Sequence, residues 1–86
     1  SETYLLGQGL HSCANWLSRP EYYRDGEQWI LGYWSALNVS GSSAIGSHSD
    51  GEAIIAEIKL ICVAEPSTGL TTAIDRVYEN FRQRGK

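Results

Sequence analysis

The spacing of apolar residues predicts helices along most of the chain, and the clearest of them lies near its end. There, apolar residues recur at i, i+3, i+4, i+7, i+8 and i+11, which places them on one face of a helix with about 3.6 residues per turn. They are Leu70, Ala73, Ile74, Val77, Tyr78 and Phe81. Ser67 or Thr68 is expected to cap this helix. Three cations lie at its C-terminal end, where positive charge interacts favourably with the helix dipole: Arg82, Arg84 and Lys86.

A central helix is predicted from Glu21 onwards, where aromatic and aliphatic residues follow steps of three, four and seven. They are Tyr22, Trp29, Ile30, Tyr33, Trp34 and Leu37. The helix begins either near Pro20 or only after Gly26, because Asp25-Gly26 is also a turn signal. Residues 39–51 are dominated by Ser and Gly, so they predict a mobile loop with little to bury.

A third helix is predicted after this loop, with Asp50 as its N-cap and Glu52 placed to favour the positive end of its dipole. Its buried stripe consists of Ile54, Ile55, Ile58, Ile61 and Cys62. The β-branched content also admits a strand, but the spacing lacks polar alternation and therefore favours a helix that ends before Pro66.

A short helix is predicted near the start of the chain, over residues 12–18, with Ser12 as its N-cap. Pro20 favours an extended conformation at Arg19 and ends this helix. The pattern as a whole predicts one all-α domain, residues 1–86, in which three longer helices and the short one pack as antiparallel neighbours.

Composition narrows the range of partners. The longest uninterrupted apolar run, residues 60–64, is far shorter than the roughly 20 residues that span a bilayer, so no membrane span is expected. Seven Lys and Arg residues against ten Asp and Glu residues give a net charge of −3. This balance argues against nucleic acid and anionic lipid as partners, because both are bound by neutralising phosphates.

Cys13 and Cys62 are the only two cysteines. They are interpretable as a disulfide, as part of a metal site or as two buried thiols. A zinc site needs three or four ligands, and only His11 lies near either cysteine, so the disulfide is favoured. A disulfide indicates the periplasm or the extracellular space, and the chain starts at Ser1 without methionine, as expected of a mature chain after signal-peptide removal.

No residue pattern indicates catalysis or a cofactor. His11 and Cys13 lack a clear third group to orient them, and a disulfide would occupy the thiol, so we expect no enzyme activity and no cofactor. His48, Asp50 and Glu52 are explained by ordinary loop polarity rather than by a metal site. Asn38-Val39-Ser40 matches the N-glycosylation pattern, which matters only in a eukaryotic source.

The aromatic residues suggest a partner surface. Trp29 and Trp34 are five positions apart, about 140° around a helix, so both cannot point at the same neighbour. One of them is expected at the surface, in an interface with another protein or with a second copy of the chain.

Three segments together resemble a known group of small exported proteins of proteobacteria. They are residues 9–17 (GLHSCANWL), residues 29–38 (WILGYWSALN) and residues 61–66 (ICVAEP), followed by the amphipathic helix. The group is similar to the type VI secretion immunity proteins of the Rap/Tai class and, more distantly, to the periplasmic acid-stress chaperones HdeA and HdeB. The resemblance implies a helical periplasmic protein with Cys13 joined to Cys62, and a close helix approach at Gly32.

The function expected from this resemblance is non-enzymatic binding, in which the protein neutralises a secreted cell-wall hydrolase as an immunity protein or inhibitor. The candidate partner-binding residues are Ser47, His48, Asp50, Glu52 and Trp34. The alternative is a periplasmic acid-stress chaperone that exposes apolar surface when its carboxylates and histidines become protonated.

Overall fold

The computed structural model describes residues 6–86 and has an all-α fold, as the sequence predicts. Helices α1 (Cys13–Leu17), α2 (Pro20–Gly41), α3 (Gly51–Ala64) and α4 (Leu70–Gln83) follow a 3₁₀ turn at Gly7–Leu10. Between residues 6 and 86, no helix combines the length and hydropathy that a membrane span requires.

Two of the predicted helix caps are confirmed. The Ser12 hydroxyl accepts a hydrogen bond from the Asn15 amide at 3.2 Å, and the Asp50 carboxylate accepts one from the Ala53 amide at 2.8 Å. Each bond satisfies one amide group that the first turn of its helix leaves free. The start of α1 and the start of α3 are therefore each fixed by the side chain of the residue that precedes the helix.

The predicted cap of α4 is wrong, because Gly69 rather than Ser67 or Thr68 occupies the N-cap position. The backbone of residues 66–70 pairs instead with the start of α1. Thr68 accepts a hydrogen bond from the Cys13 amide at 2.8 Å, and the Leu70 amide donates to His11 at 3.0 Å. This long-range pairing draws Thr68 away from the helix start.

Helix α2 is longer than the sequence indicates at one of its two ends. It begins at Pro20 and passes through Gly26 without a turn, which settles the two alternative starts. At its C-terminus it extends to Gly41, beyond the predicted boundary at Val39. Ser42 then adopts a left-handed conformation, with φ 51° and ψ 45°, and its amide donates back to the last turn. The connecting loop is therefore shortened to residues 42–50.

All four helices contribute to one core, in which the predicted stripes of α3 and α4 are buried with Ile61 and Tyr78 at their margins. The core residues are Cys13, Trp16, Ile30, Trp34, Ile54, Ile55, Ile58, Cys62, Leu70, Ala73, Ile74, Val77 and Phe81. The disulfide between Cys13 and Cys62 lies inside it, and both cysteines are 0% exposed. It connects α1 to the last turn of α3, as predicted.

The close approach to the central helix occurs at Gly26 and not at Gly32. Gly32 is exposed, and a Cβ added there would meet no atom within 4 Å. Gly26 is buried, and a Cβ there would collide with the indole of Trp16. The Trp16 indole also stacks on Tyr23, with ring centroids 4.9 Å apart, so α1 packs flat against the first turns of α2.

Candidate functional site

Trp34 lies beneath the loop of residues 42–50 and is only 4% exposed. Its indole nitrogen donates a hydrogen bond to the Ile45 carbonyl at 2.8 Å. The rings of Tyr78 and Phe81 meet it edge-on, with centroids 5.0 and 5.3 Å away. The expectation that Trp34 contacts a partner is therefore corrected, because its ring is a core element that supports the loop from inside.

Asn38 is the residue that holds the loop, through both polar atoms of its carboxamide. The amide nitrogen donates to the Ile45 carbonyl at 3.0 Å, while the oxygen accepts from the Ile45 amide at 3.0 Å. The same oxygen accepts from the Tyr78 hydroxyl at 2.8 Å and from the Ser43 hydroxyl at 3.1 Å. A side chain in the last turns of α2 thus binds both polar groups of one loop residue and connects them to α4.

Gly46 forms a second attachment of the loop. Its amide donates to the carbonyl of Lys86 at 3.0 Å, and its φ of 90° lies in the region that favours glycine. A Cβ at this position would lie 3.1 Å from both the Trp34 indole nitrogen and Ile54 Cδ1. The loop is therefore closely packed at Ile45 and Gly46, which corrects the expectation of a mobile segment with little to bury.

The other predicted site residues are all exposed around this attached segment. Ser47, His48 and Asp50 belong to the loop, in which Asp50 is the N-cap of α3, and Glu52 belongs to the first turn of α3. The carboxylate of Asp50 already accepts the capping hydrogen bond from Ala53. The structure thus places these four residues at one end of the molecule. Asn38 and Trp34 hold the backbone of the loop from the side of the core.

Sequence reasoning missed one acidic member of this end, Glu27 of α2. It lines a shallow cavity of about 450 Å³ together with Asp50 and Glu52. Nothing in the spacing of the sequence associates Glu27 with the loop, because the proximity results from the packing of α2 against α3. Within the described part of the chain, no three His, Cys, Asp or Glu residues form a group suited to a metal ion.

Asn38 carried a misleading signal in the sequence. It opens the pattern Asn38-Val39-Ser40, yet it lies within α2, is half-buried and uses both polar atoms of its side chain for the loop. An attached sugar would remove these hydrogen bonds. The informative signal was its position in the last turns of a helix, immediately before a Ser/Gly segment.

Tyr33 connects α2 to α4 on the surface beside the core. Its hydroxyl donates a hydrogen bond to Asp75 at 3.0 Å. Burial, the hydrogen bond to Asp75 and the negative charge of Asp75 together raise the pKa of Tyr33 to about 12, and burial is the largest cause. At neutral pH, Tyr33 is therefore a hydrogen-bond donor and not a base.

The class that the fold and this site define is a small disulfide-bonded helical protein with an ordered, polar loop at one end. In comparisons with protein-family models, curated proteins and solved structures, no family model, protein or structure matches the chain.

Proposed function

We propose that this protein is a non-enzymatic binding protein that neutralises a secreted cell-wall hydrolase in the periplasm or the extracellular space. The observation that carries the proposal is the ordered loop, whose backbone is attached by Asn38 while Ser47 and His48 remain exposed. A loop that is ordered before binding loses less conformational entropy when a partner encloses it. Such a loop suits an inhibitor that inserts a loop into an enzyme cleft.

The chemistry of the exposed side chains suits a polar cleft. A hydroxyl, an imidazole and two carboxylates can donate to and accept from catalytic residues and backbone amides. Glu27 adds negative charge beside the loop. Such a surface complements a cleft with basic groups, and charge complementarity of this kind favours rapid and specific association.

The disulfide supports the proposed compartment. Disulfides are stable in oxidising compartments and are rare in the reducing cytosol. The Cys13–Cys62 disulfide is part of the core, so an oxidising environment stabilises the folded protein. The resemblance of residues 9–17, 29–38 and 61–66 to exported immunity proteins supports the same location.

The experiment uses the oxidised protein as an affinity reagent on periplasmic extract from the cells that produce it. We expect it to retain a protein that solubilises peptidoglycan, and to stop that activity when the two are mixed at about one to one. The loop variant His48→Ala/Glu52→Gln is compared with the matched variant His11→Ala/Glu21→Gln. All four of these positions are exposed, and both variants change the same residue types and the same charge.

The loop variant should weaken inhibition by at least about ten-fold, and the matched variant should not change it. If the retained protein has no hydrolase activity, or if the two variants inhibit equally well, the proposal is wrong. Circular dichroism of both variants establishes that the helices are intact.

The second candidate function is an acid-stress chaperone, and two ion pairs favour it. Arg84–Glu57, at 3.1 Å, connects α4 to α3, and Arg76–Glu65, at 2.9 Å, connects α4 to the turn after α3. Hydrogen bonding to Arg76 lowers the pKa of Glu65, so this pair is lost only as the pH falls through that lowered pKa. Separation of α4 would uncover the core.

Light scattering of an aggregation-prone client at about pH 3 distinguishes the two functions. Suppression of aggregation at that pH, with no hydrolase inhibition at neutral pH, would favour the chaperone. A protein that keeps its helical spectrum and does not suppress aggregation in acid would exclude it.

A further inference from the structure

The outer face of α3 carries an apolar stripe that the fold does not cover. Ala53, Ala56, Leu60 and Val63 follow one another at steps of three, four and three, opposite the core residue Ile58. Leu60 is 71% exposed and Val63 is 62% exposed. We call this set the α3 stripe. Its two small residues are in the N-terminal half of the helix, and its two larger residues are in the C-terminal half.

The basic residues beside the stripe are concentrated near its C-terminal half. Arg19, Arg24 and Lys59 line one groove between the start of α2 and α3. Among residues 6–86, none of these three has a carboxylate within ion-pair distance. By contrast, three arginines elsewhere are paired with glutamates: Arg76, Arg82 and Arg84. Uncompensated positive charge therefore collects at one place on a chain of net charge −3.

The opposite end of the stripe is acidic. Glu27, Asp50 and Glu52 line the cavity at the start of α3, and the ion pairs of the described residues include none of them. The same face of the molecule thus has a basic end with large apolar residues and an acidic end with small ones. From the N-terminus to the C-terminus of α3, the exposed apolar side chains become larger and the neighbouring charge changes from negative to positive.

We propose that this face binds a second copy of the chain, with the two α3 helices antiparallel and a two-fold axis passing at Ala56. An isologous interface requires a surface that is complementary to itself after rotation. The α3 face meets this requirement twice, once in side-chain size and once in charge. The proposal does not rest on the hydrolase partner and is tested on the purified protein alone, although Glu52 is also a candidate partner-binding residue.

The complementarity in size follows from the helix geometry. Leu60 is four residues after Ala56, and Ala53 is three residues before it. With a rise of about 1.5 Å per residue, the rotation brings Leu60 of one copy to within about 1.5 Å, along the axis, of Ala53 of the other. Each large side chain thus faces a small one, and Ala56 faces its own copy at the closest approach of the helices.

The complementarity in charge follows from the same rotation. Lys59 is three residues after Ala56, and Glu52 is four residues before it, on the same flank of α3. Lys59 of each copy is then level with Glu52 of the other, and the Arg19 and Arg24 groove is adjacent to the acidic end of the second copy. A parallel arrangement would instead place both basic ends at the same end of the interface.

Sedimentation equilibrium tests the interface over concentrations from about 1 µM to about 1 mM. We expect a monomer–dimer equilibrium for the oxidised chain. Glu52→Lys and Lys59→Glu should each weaken the dimer by at least about ten-fold, because each places like charges in contact twice. The double variant Glu52→Lys/Lys59→Glu should restore it. Ala56→Asp should abolish the dimer, and the matched variant Thr72→Asp, on exposed α4 surface, should not affect it.

Three results would overturn the proposal. The first is a chain that stays monomeric across this range. The second is a dimer that Ala56→Asp leaves unchanged, since the contact would then lie on another face. The third is a double variant that dimerises no better than either single variant. All substituted residues are exposed, so circular dichroism of each variant verifies that the fold is preserved.

Discussion

The indole of Trp16 lies directly against the backbone of Gly26, where a methyl group would overlap its Cδ1 and Nε1 atoms. The same indole nitrogen donates a hydrogen bond to the Tyr23 carbonyl at 3.0 Å. One glycine in the second turn of a 22-residue helix therefore determines how closely α1 packs against α2.

Gly26→Ala should destabilise the protein, although alanine is the better helix former. Overpacking against a buried tryptophan costs about 1–3 kcal/mol, which exceeds the gain in helix propensity of about 1 kcal/mol. Gly32→Ala is the matched control on the same helix, and it should stabilise the protein by about 0.5–1 kcal/mol because its Cβ meets open space. Urea unfolding followed by circular dichroism measures both, and equal effects would contradict the packing argument.

Removal of the disulfide should cost a large part of the stability. Cys13 and Cys62 are 49 positions apart, and closing a loop of about this length contributes about 4 kcal/mol in the chain-entropy model. Cys13→Ala/Cys62→Ala should therefore lower the free energy of unfolding by about 2–5 kcal/mol. The comparison is made by urea unfolding of the oxidised wild type and the variant. A loss below about 1 kcal/mol would show that the packing of the core holds the fold without the crosslink.

Asn38→Ala should loosen the loop while leaving the helices in place. The variant loses the hydrogen bonds that hold Ile45, and amide exchange at Ile45 and Gly46 should accelerate by at least about ten-fold. Ser40→Ala, at an exposed position in the same last turns of α2, is the control and should leave exchange unchanged. Unaltered exchange at Ile45 in Asn38→Ala would refute the role given to Asn38.

Tyr33 should make the protein sensitive to alkali. Its pKa is raised to about 12 in the folded chain and is 10.0 in the reference state, so the stability it contributes is complete below pH 10.0 and is lost as the pH rises towards about 12. Tyr33→Phe should therefore lose less stability over this range than the wild type does. Asp75→Asn keeps an acceptor but removes the charge, so it should lower the pKa of Tyr33, as read by ultraviolet absorbance. Identical alkaline unfolding profiles of wild type and Tyr33→Phe would contradict the assignment.

The local features of the fold were predictable because they depend on neighbours in the sequence. The stripe from Leu70 to Phe81, the caps at Ser12 and Asp50, and the stop before Pro66 all involve residues within a few positions of each other. Hydrophobic periodicity and capping report on such contacts. The pairing of Cys13 with Cys62 followed from a different constraint, since the chain has no other cysteine.

The features that the sequence did not reveal involve contacts between distant segments. Thr68 loses its capping role because its backbone pairs with Cys13, and Gly26 rather than Gly32 receives a neighbouring helix because Trp16 packs there. Trp29 and Trp34 lie about 140° apart around α2, and the loop covers Trp34 through Ile45. No local rule states which face of α2 the loop will cover.

The sequence alone therefore specified the helices, their approximate bounds, the disulfide and the polar character of the loop between α2 and α3. The tertiary packing determined that this loop is ordered, through contacts of Asn38, Gly46 and Trp34. It also determined that the acidic side chains at the start of α3 lie beside Glu27. The reason is physical: helix formation is governed by interactions within about one turn, whereas burial and surface charge depend on which segments the folded chain brings together.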